Sequence, residues 1–161
     1  MVKIVTLGAH GADEDTFFKA LTDAGVDTFC DLRLRRGMRG SAYAFANSAR
    51  LQRRLAEMGI RYLYFKDLAP SQAMREQQHQ TDKRNGVGSR SRDRLGEVFV
   101  EAYTAERLRD FDAAHFIAGL GEAANVVALF CVERAPDACH RSLVARRIQQ
   151  DLGLVVEHLQ P

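Results

Sequence analysis

The sequence predicts a single three-layer α/β domain, in which helices flank both faces of a mostly parallel sheet. Runs of β-branched and other apolar residues alternate with segments whose apolar residues recur at helical spacing, the pattern of consecutive βα units. The chain has 161 residues, the length of one domain, so we expect a single domain over residues 1–161. With 46% hydrophobic and 27% charged residues, the composition excludes collagen, disordered chains and disulfide scaffolds.

The first half of the chain is predicted to contain three strands and two helices. The strands are three β-branched or aromatic runs, at residues 2–6, 26–32 and 60–65. Asp13 can cap the first helix and Asn47 or Ser48 the second, and Gly25 and Gly59 end them. Their apolar faces consist of Phe17, Phe18 and Leu21 in the first helix, and of Leu51, Leu55 and Met58 in the second.

The second half begins with a long polar segment. Residues 70–92 have almost no apolar side chains and no helical period, so we expect a mobile loop there. The remaining predicted elements are helices at residues 95–102, 108–120 and 136–152 and strands at residues 126–132 and 155–159. The run at residues 126–132 is the most hydrophobic, which predicts a position near the centre of the sheet.

Polar residues and a glycine follow several of the predicted strands. In open α/β sheets, ligands bind outside the carboxyl ends of the strands. We therefore expect these residues to lie along one edge of the sheet: Gly8, His10, Asp31, Arg33, Glu133, Cys139, His140 and Arg141.

The segment 131–141 is the strongest candidate for chemistry. Its last three residues, Cys139, His140 and Arg141, fall in the first predicted turn of a helix, where backbone N–H groups favour an anion. The same field and Arg141 would stabilise a Cys139 thiolate, and His140 can carry a proton near neutral pH. This pattern indicates an anion or phosphoryl site, or a nucleophilic thiol. Alternatively, Cys139 packs inward while His140 and Arg141 hold the turn together.

Asp31 and Arg33 form the second candidate pair. Alternation along the strand places both side chains on one side of its end. Arg33 could hold a substrate oxyanion while Asp31 or Glu133 acts as base, but the pair could equally be a structural ion pair. We assign ligand binding to Gly8, His10, Arg33 and Arg141, and catalysis to Asp31, Glu133, Cys139 and His140.

Arginine-rich segments suggest a second function. Arginines are concentrated at residues 33–39, 50–54 and 84–94, and such a surface suits phosphate-rich ligands. The alternative to an enzyme is therefore a non-catalytic nucleic-acid-associated module that uses residues 70–92 as a clamp. The formal net charge of only +2 does not by itself indicate nucleic-acid binding. A third hypothesis is that the protein is an interaction or structural domain, in which the motif residues only stabilise the fold.

The sequence predicts neither a cofactor nor a metal. The turn at residues 8–11 is too short for a dinucleotide fingerprint and lacks the lysine of a phosphate-binding loop. Cys131, Cys139, His140 and His10 could converge, but the chain has no CxxC pair and no HExxH motif. A structural zinc site is therefore not expected.

The cysteines and the apolar runs predict a cytoplasmic protein that does not enter a membrane. The three cysteines form an odd set, and residues 1–11 carry no apolar run of the kind found in an export signal. The longest strongly apolar stretch, residues 125–132, is far too short to cross a bilayer.

The order of motifs resembles the prokaryotic family called domain of unknown function 488. The matching motifs are Thr6-Leu7-Gly8-Ala9-His10, Asp31-Leu32-Arg33, Tyr62 with Leu68, Cys131-Val132-Glu133 and Cys139-His140-Arg141. The chain departs from the family pattern where Ala9 separates the glycine from the histidine. The resemblance implies the fold and the location of the site. It implies no particular reaction, and we expect the ligand to be a phosphorylated small molecule or a nucleic acid.

Overall fold

Five strands form one sheet in the computed structural model, which describes residues 1–161. The strands are β1 (Lys3–Leu7), β2 (Thr28–Asp31), β3 (Arg61–Tyr64), β4 (Val126–Phe130) and β5 (Val156–His158). Their order across the sheet is β3-β2-β4-β1-β5, and every neighbouring pair runs parallel. The hydrophobic strand β4 lies at the centre, as its composition predicts.

The helices occupy the connections between the strands. They are α1 (Glu14–Asp23), α2 (Ser48–Glu57), α3 (Gln72–Arg84), α4 (Glu97–Tyr103), α5 (Ala113–Gly119) and α6 (His140–Leu152). Asp13 caps α1 by accepting a hydrogen bond from the backbone N–H of Thr16, and α6 ends at Gly153 in the left-handed conformation. Residues 136–138, expected to open α6, form a separate 3₁₀ turn, so that Cys139 is the N-cap of α6.

Two apolar cores lie on opposite faces of the sheet. Helices α1 and α2 pack against one face through Phe17, Leu21 and Leu55, together with Phe130 of β4. Helices α3 to α6 cover the other face. Because successive residues of a strand point to opposite faces, each central strand contributes to both cores. The three-layer α/β fold predicted from the sequence is therefore confirmed.

The direction of the connections creates a crevice at the centre of the sheet. Strand β4 leads into α6 on one face, whereas its neighbours β1 and β2 lead into α1 and α2 on the other. Chain segments that leave adjacent strands towards opposite faces open a space above the carboxyl ends of those strands. This space is lined by His10, which follows β1, and by Glu133, Cys139 and His140, which follow β4.

The segment expected to be a mobile loop contains the regular helix α3, so the prediction of an unstructured stretch is wrong for residues 72–84. Its inward face consists of Met74, Gln78 and Asp82, spaced four residues apart. Gln78 Nε2 donates to Asp82 Oδ1 at 2.7 Å, and Arg92 Nη1 donates to Asp82 Oδ2 at 2.8 Å. Two of the three buried positions are polar but hydrogen-bonded, so a search for apolar periodicity does not detect this helix. No helix of the structure is long and apolar enough to cross a membrane.

Helix α3 has a direct test in amide hydrogen exchange. We expect residues 76–84, whose amides are bonded within the helix, to exchange far more slowly than Ser89 and Arg90, which are exposed and donate no backbone hydrogen bond. Mass spectrometry of overlapping peptides separates the two segments. Complete exchange of residues 76–84 at the shortest labelling time would instead show a mobile loop.

Candidate functional site

The crevice forms a cavity of about 400 Å³ above β2 and β4. Five of the residues predicted from the sequence line it: His10, Arg33, Glu133, Cys139 and His140. The other three are buried and do not line it: Gly8, Asp31 and Arg141. The single edge of the sheet expected from strand order therefore brings these residues together.

The floor of the cavity is a cluster of two thiols and an imidazole. Cys131 Sγ lies 3.6 Å from His140 Nδ1, and Cys139 Sγ lies 3.7 Å from the same atom. The other ring nitrogen, Nε2, is 2.8 Å from the carbonyl oxygen of Leu32. Since a carbonyl oxygen only accepts hydrogen bonds, Nε2 carries a proton and donates it, and Nδ1 faces the two sulfurs.

The loop between β4 and α6 brings these three residues together. Arg141 Nη1 donates to the Glu133 carbonyl at 2.6 Å, and Arg141 Nη2 donates to the Arg134 carbonyl at 3.2 Å. A Cβ atom at Gly8 would lie only 1.9 Å from the Glu133 carbonyl oxygen, so β1 approaches this loop closely enough to require glycine. Gly8 and Arg141 therefore shape the loop. The Nε atom of Arg141 is buried and has no hydrogen-bond partner in the protein, and the ligand contact expected of these two residues stays a prediction.

Burial and neighbouring charges shift the pKa values of the groups in and beside the cluster in different directions. Burial raises the pKa of the Cys139 thiol, but the hydrogen bond from Cys131 and the charges of His140 and Arg141 outweigh it, and this pKa lies below its usual range. Burial raises the pKa of Cys131, and burial with the nearby Cys139 charge raises the pKa of Glu133 to about 7. Cys139 is therefore the more acidic thiol of the pair.

Helix α3 is tied to the cluster through Arg92. The guanidinium donates through Nη1 to Asp82 Oδ2 and through Nη2 to Glu133 Oε1, both at 2.8 Å, and through Nε to the Ala138 carbonyl at 3.1 Å. Glu133 Oε2 lies 3.7 Å from Cys131 Sγ. Asp82 was missed in the sequence because its segment has no apolar period. The sequence signal that points to Asp82 is its spacing, because it lies four residues, about one helical turn, after Gln78.

The Asp31–Arg33 pair lies at the same edge of the sheet but is fully occupied by structural contacts. Arg33 donates to both carboxylate oxygens of Asp31, at 2.9 and 2.8 Å, and to the Ala46 carbonyl at 2.8 Å. Tyr62 donates to Asp31 Oδ2 at 2.7 Å. The guanidinium lies over the Phe130 ring, on the face covered by α1 and α2. These contacts favour the structural reading of the pair, and Asp31 is not placed to act as a base.

Basic side chains surround the mouth of the cavity. Arg35 and Arg75 line it and form no ion pair, and His79 lies one helical turn beyond Arg75. His10 also lines the cavity, and its buried Nδ1 atom has no hydrogen-bond partner in the protein. Burial, and after it the charges of Arg90 and Arg92, lower the pKa of His10. These groups can bind an anion at the mouth, above the thiol–imidazole cluster.

The cluster on the floor also has the composition of a metal-ligand set. One atom each of Cys131, Cys139 and His140 lies within 4.8 Å of the others, and all three residues are buried. The sequence allows these residues to converge, but it predicts no zinc site, because the two cysteines are separated by seven residues and not by the two of a CxxC pair. The loop that Arg141 closes is what brings them together.

Comparison with family models identifies the family of the chain. The model described as domain of unknown function DUF488 matches residues 13–148. The chain belongs to this family. The DUF488 match includes β2, β4 and the whole loop from Cys131 to Arg141, and begins after Gly8 and His10. Neither the curated proteins nor the solved structures gave a match.

The structural role of Arg33 predicts a specific loss of stability. Arg33→Ala leaves the Asp31 carboxylate buried without its cation, so we expect the free energy of unfolding to fall by about 3–5 kcal/mol. Arg35→Ala removes the same charge from an exposed neighbour and should change it by less than about 0.5 kcal/mol. Urea denaturation measures both variants. Equal effects would contradict the assignment of Arg33 to the fold.

Alkylation distinguishes the cavity cysteines from the third one. Cys131 and Cys139 line the cavity, whereas Cys30 is 0% exposed within β2 and burial raises its pKa to about 12. In reduced, chelator-treated protein, iodoacetamide should modify Cys131 or Cys139 in the native state and Cys30 only after unfolding. Peptide mass spectrometry assigns each site. Native-state labelling of Cys30 at a similar rate would refute this arrangement.

Proposed function

We propose that the protein is an enzyme that binds a small anionic substrate, carrying a phosphate or carboxylate group, in the cavity above β2 and β4. The observation that carries the proposal is that Arg35 and Arg75, neither of which forms an ion pair, line the same cavity as Cys139, His140 and Glu133. The guanidinium of Arg35 donates a hydrogen bond to Gln72 Oε1 at 3.4 Å. An α/β enzyme is expected to place its substrate-binding groups and its reactive groups at the same end of the sheet.

Two of the four arginines that line the cavity are left for an anionic ligand. Arg33 is paired with Asp31, and Arg92 with Asp82 and Glu133, so these two cations are already neutralised. Glu76, the one lining carboxylate outside the ion pairs, accepts a hydrogen bond from Gln72 Nε2 at 3.2 Å. Arg35 and Arg75 are left without a carboxylate partner. A phosphate or carboxylate can accept hydrogen bonds from both guanidinium groups at once.

The proposed role of each lining residue follows from its depth in the cavity. Arg35 and Arg75 at the mouth would hold the anionic group, and His10 would offer its unpartnered nitrogen to a polar part of the substrate. The reacting part would then lie at the floor, beside Cys139 and His140. Glu133, whose Oε2 atom is not held by Arg92, is the group placed to exchange a proton there.

Binding of inorganic phosphate and pyrophosphate tests the proposal. We expect chelator-treated protein to bind one or both by isothermal titration calorimetry, and Arg75→Ala to weaken binding about tenfold, the loss of a charge-assisted hydrogen bond. Arg84→Ala is the matched control, because Arg84 lies on the same helix but outside the cavity. It should bind like the wild type.

Two results would overturn the anionic-substrate proposal. One is the absence of binding of either anion, and the other is an equal loss in the Arg75→Ala and Arg84→Ala variants. Titration of a duplex oligonucleotide in parallel tests the alternative function, nucleic-acid binding. Oligonucleotide binding that falls steeply with salt and is weakened equally by both substitutions would favour a nucleic-acid-binding module over an enzyme.

A further inference from the structure

We propose that Cys131, Cys139 and His140 together bind a zinc ion, with one coordination position open to the cavity. The proposal deepens the proposed function by naming a cofactor for its reactive centre. It rests on the proposed function only for the use of the open position, because metal binding itself depends on these three side chains alone.

Two of the three distances between the ligand atoms match those of tetrahedral zinc ligands. With Zn–S bonds of about 2.3 Å and Zn–N bonds of about 2.0–2.1 Å, a sulfur and a nitrogen on one tetrahedral ion lie about 3.6 Å apart. The two sulfur–nitrogen distances here are 3.6 Å for Cys131 and 3.7 Å for Cys139, both to His140 Nδ1. The two sulfurs lie within 4.8 Å of each other, against about 3.8 Å on a tetrahedral ion. An ion can therefore enter once the cysteine side chains bring the sulfurs closer by at most about 1 Å.

The second hydrogen bond of His140 prepares the imidazole for a metal. Ligating histidines typically donate their other ring N–H to a carbonyl or carboxylate, which fixes the ring and its tautomer. Here the Leu32 carbonyl accepts from Nε2 at 2.8 Å, and Nδ1 has no neighbour capable of hydrogen bonding except the two sulfurs. The bond thus leaves Nδ1 directed at the position the ion would occupy.

The charges around the sulfurs favour a soft divalent cation. The nearest arginines are engaged elsewhere, since Arg141 donates to loop carbonyls and Arg92 to carboxylates and a carbonyl. A doubly charged ion would displace the proton of Cys131 and neutralise the two resulting thiolates, which no guanidinium contacts. Thiolate and imidazole ligands select zinc over magnesium or calcium, which prefer oxygen.

Three protein ligands leave room for a fourth. All three residues line the cavity, so a water molecule or a substrate atom can reach the open position. Glu133 lies beside the ligand set and not within it, with Oε2 at 3.7 Å from Cys131 Sγ. Zinc held by two cysteines and one histidine, with a free position, is an arrangement found in catalytic sites and not in closed structural ones.

Metal analysis and cobalt spectroscopy test the proposal. Reduced protein loaded with Zn²⁺ and freed of excess metal should retain about one ion per chain, and Co²⁺ replacing it should show thiolate-to-cobalt charge transfer and tetrahedral visible bands. Cys139→Ser and His140→Gln should each retain less than about a tenth of an ion. Cys30→Ala is the matched control and should retain a full equivalent, since Cys30 lies within β2.

The spectrum of the wild-type protein decides the question even if a variant fails to fold. Wild-type protein that retains no zinc, or a cobalt complex without a thiolate band, would overturn the proposal. The Arg75→Ala variant distinguishes a failure of the zinc proposal from a failure of the proposed function. This variant should bind phosphate about tenfold more weakly and keep its zinc. If wild-type protein binds phosphate but retains no zinc, the anion-site proposal is supported and the zinc proposal is wrong.

Discussion

The hydrogen bond from His140 Nε2 to the Leu32 carbonyl is the contact on which the site depends. It joins the end of β2 to the first turn of α6, at the point where the sheet opens. It also determines which ring nitrogen faces Cys131 and Cys139. A carbonyl at the end of a strand is fixed by the sheet itself, so the orientation of the imidazole follows from the fold and needs no additional side chain.

The same edge of the sheet carries two polar networks with different purposes. The Asp31–Arg33 pair lies on the side of α1 and α2. Arg33 lines the cavity, but its three guanidinium nitrogens already donate to Asp31 and to the Ala46 carbonyl. The cluster of Cys139 and His140 lies on the side of α6, where the cavity begins. A buried ion pair thus stabilises the strand ends, while the groups across the sheet stay available for chemistry.

Most of the fold could be predicted from the sequence, and the site only in part. Apolar periodicity located the strands and the amphipathic helices such as α2, and strand order brought His10, Glu133 and His140 to one edge. Periodicity missed α3, because Gln78 and Asp82 fill its inward face with hydrogen-bonded polar groups. The pairing of Cys131 with Cys139 could not be predicted either, since it depends on the shape of the loop that Arg141 closes.

Long-range ¹H–¹⁵N NMR correlation of the His140 ring tests the central claim most directly. This spectrum reports which ring nitrogen carries a proton. If the Leu32 carbonyl holds the ring, Nε2 stays protonated as the pH is raised and after zinc is added, and only the Nδ1 signal responds. A neutral ring protonated at Nδ1, or an Nε2 signal that moves on zinc addition while Nδ1 does not, would contradict the account.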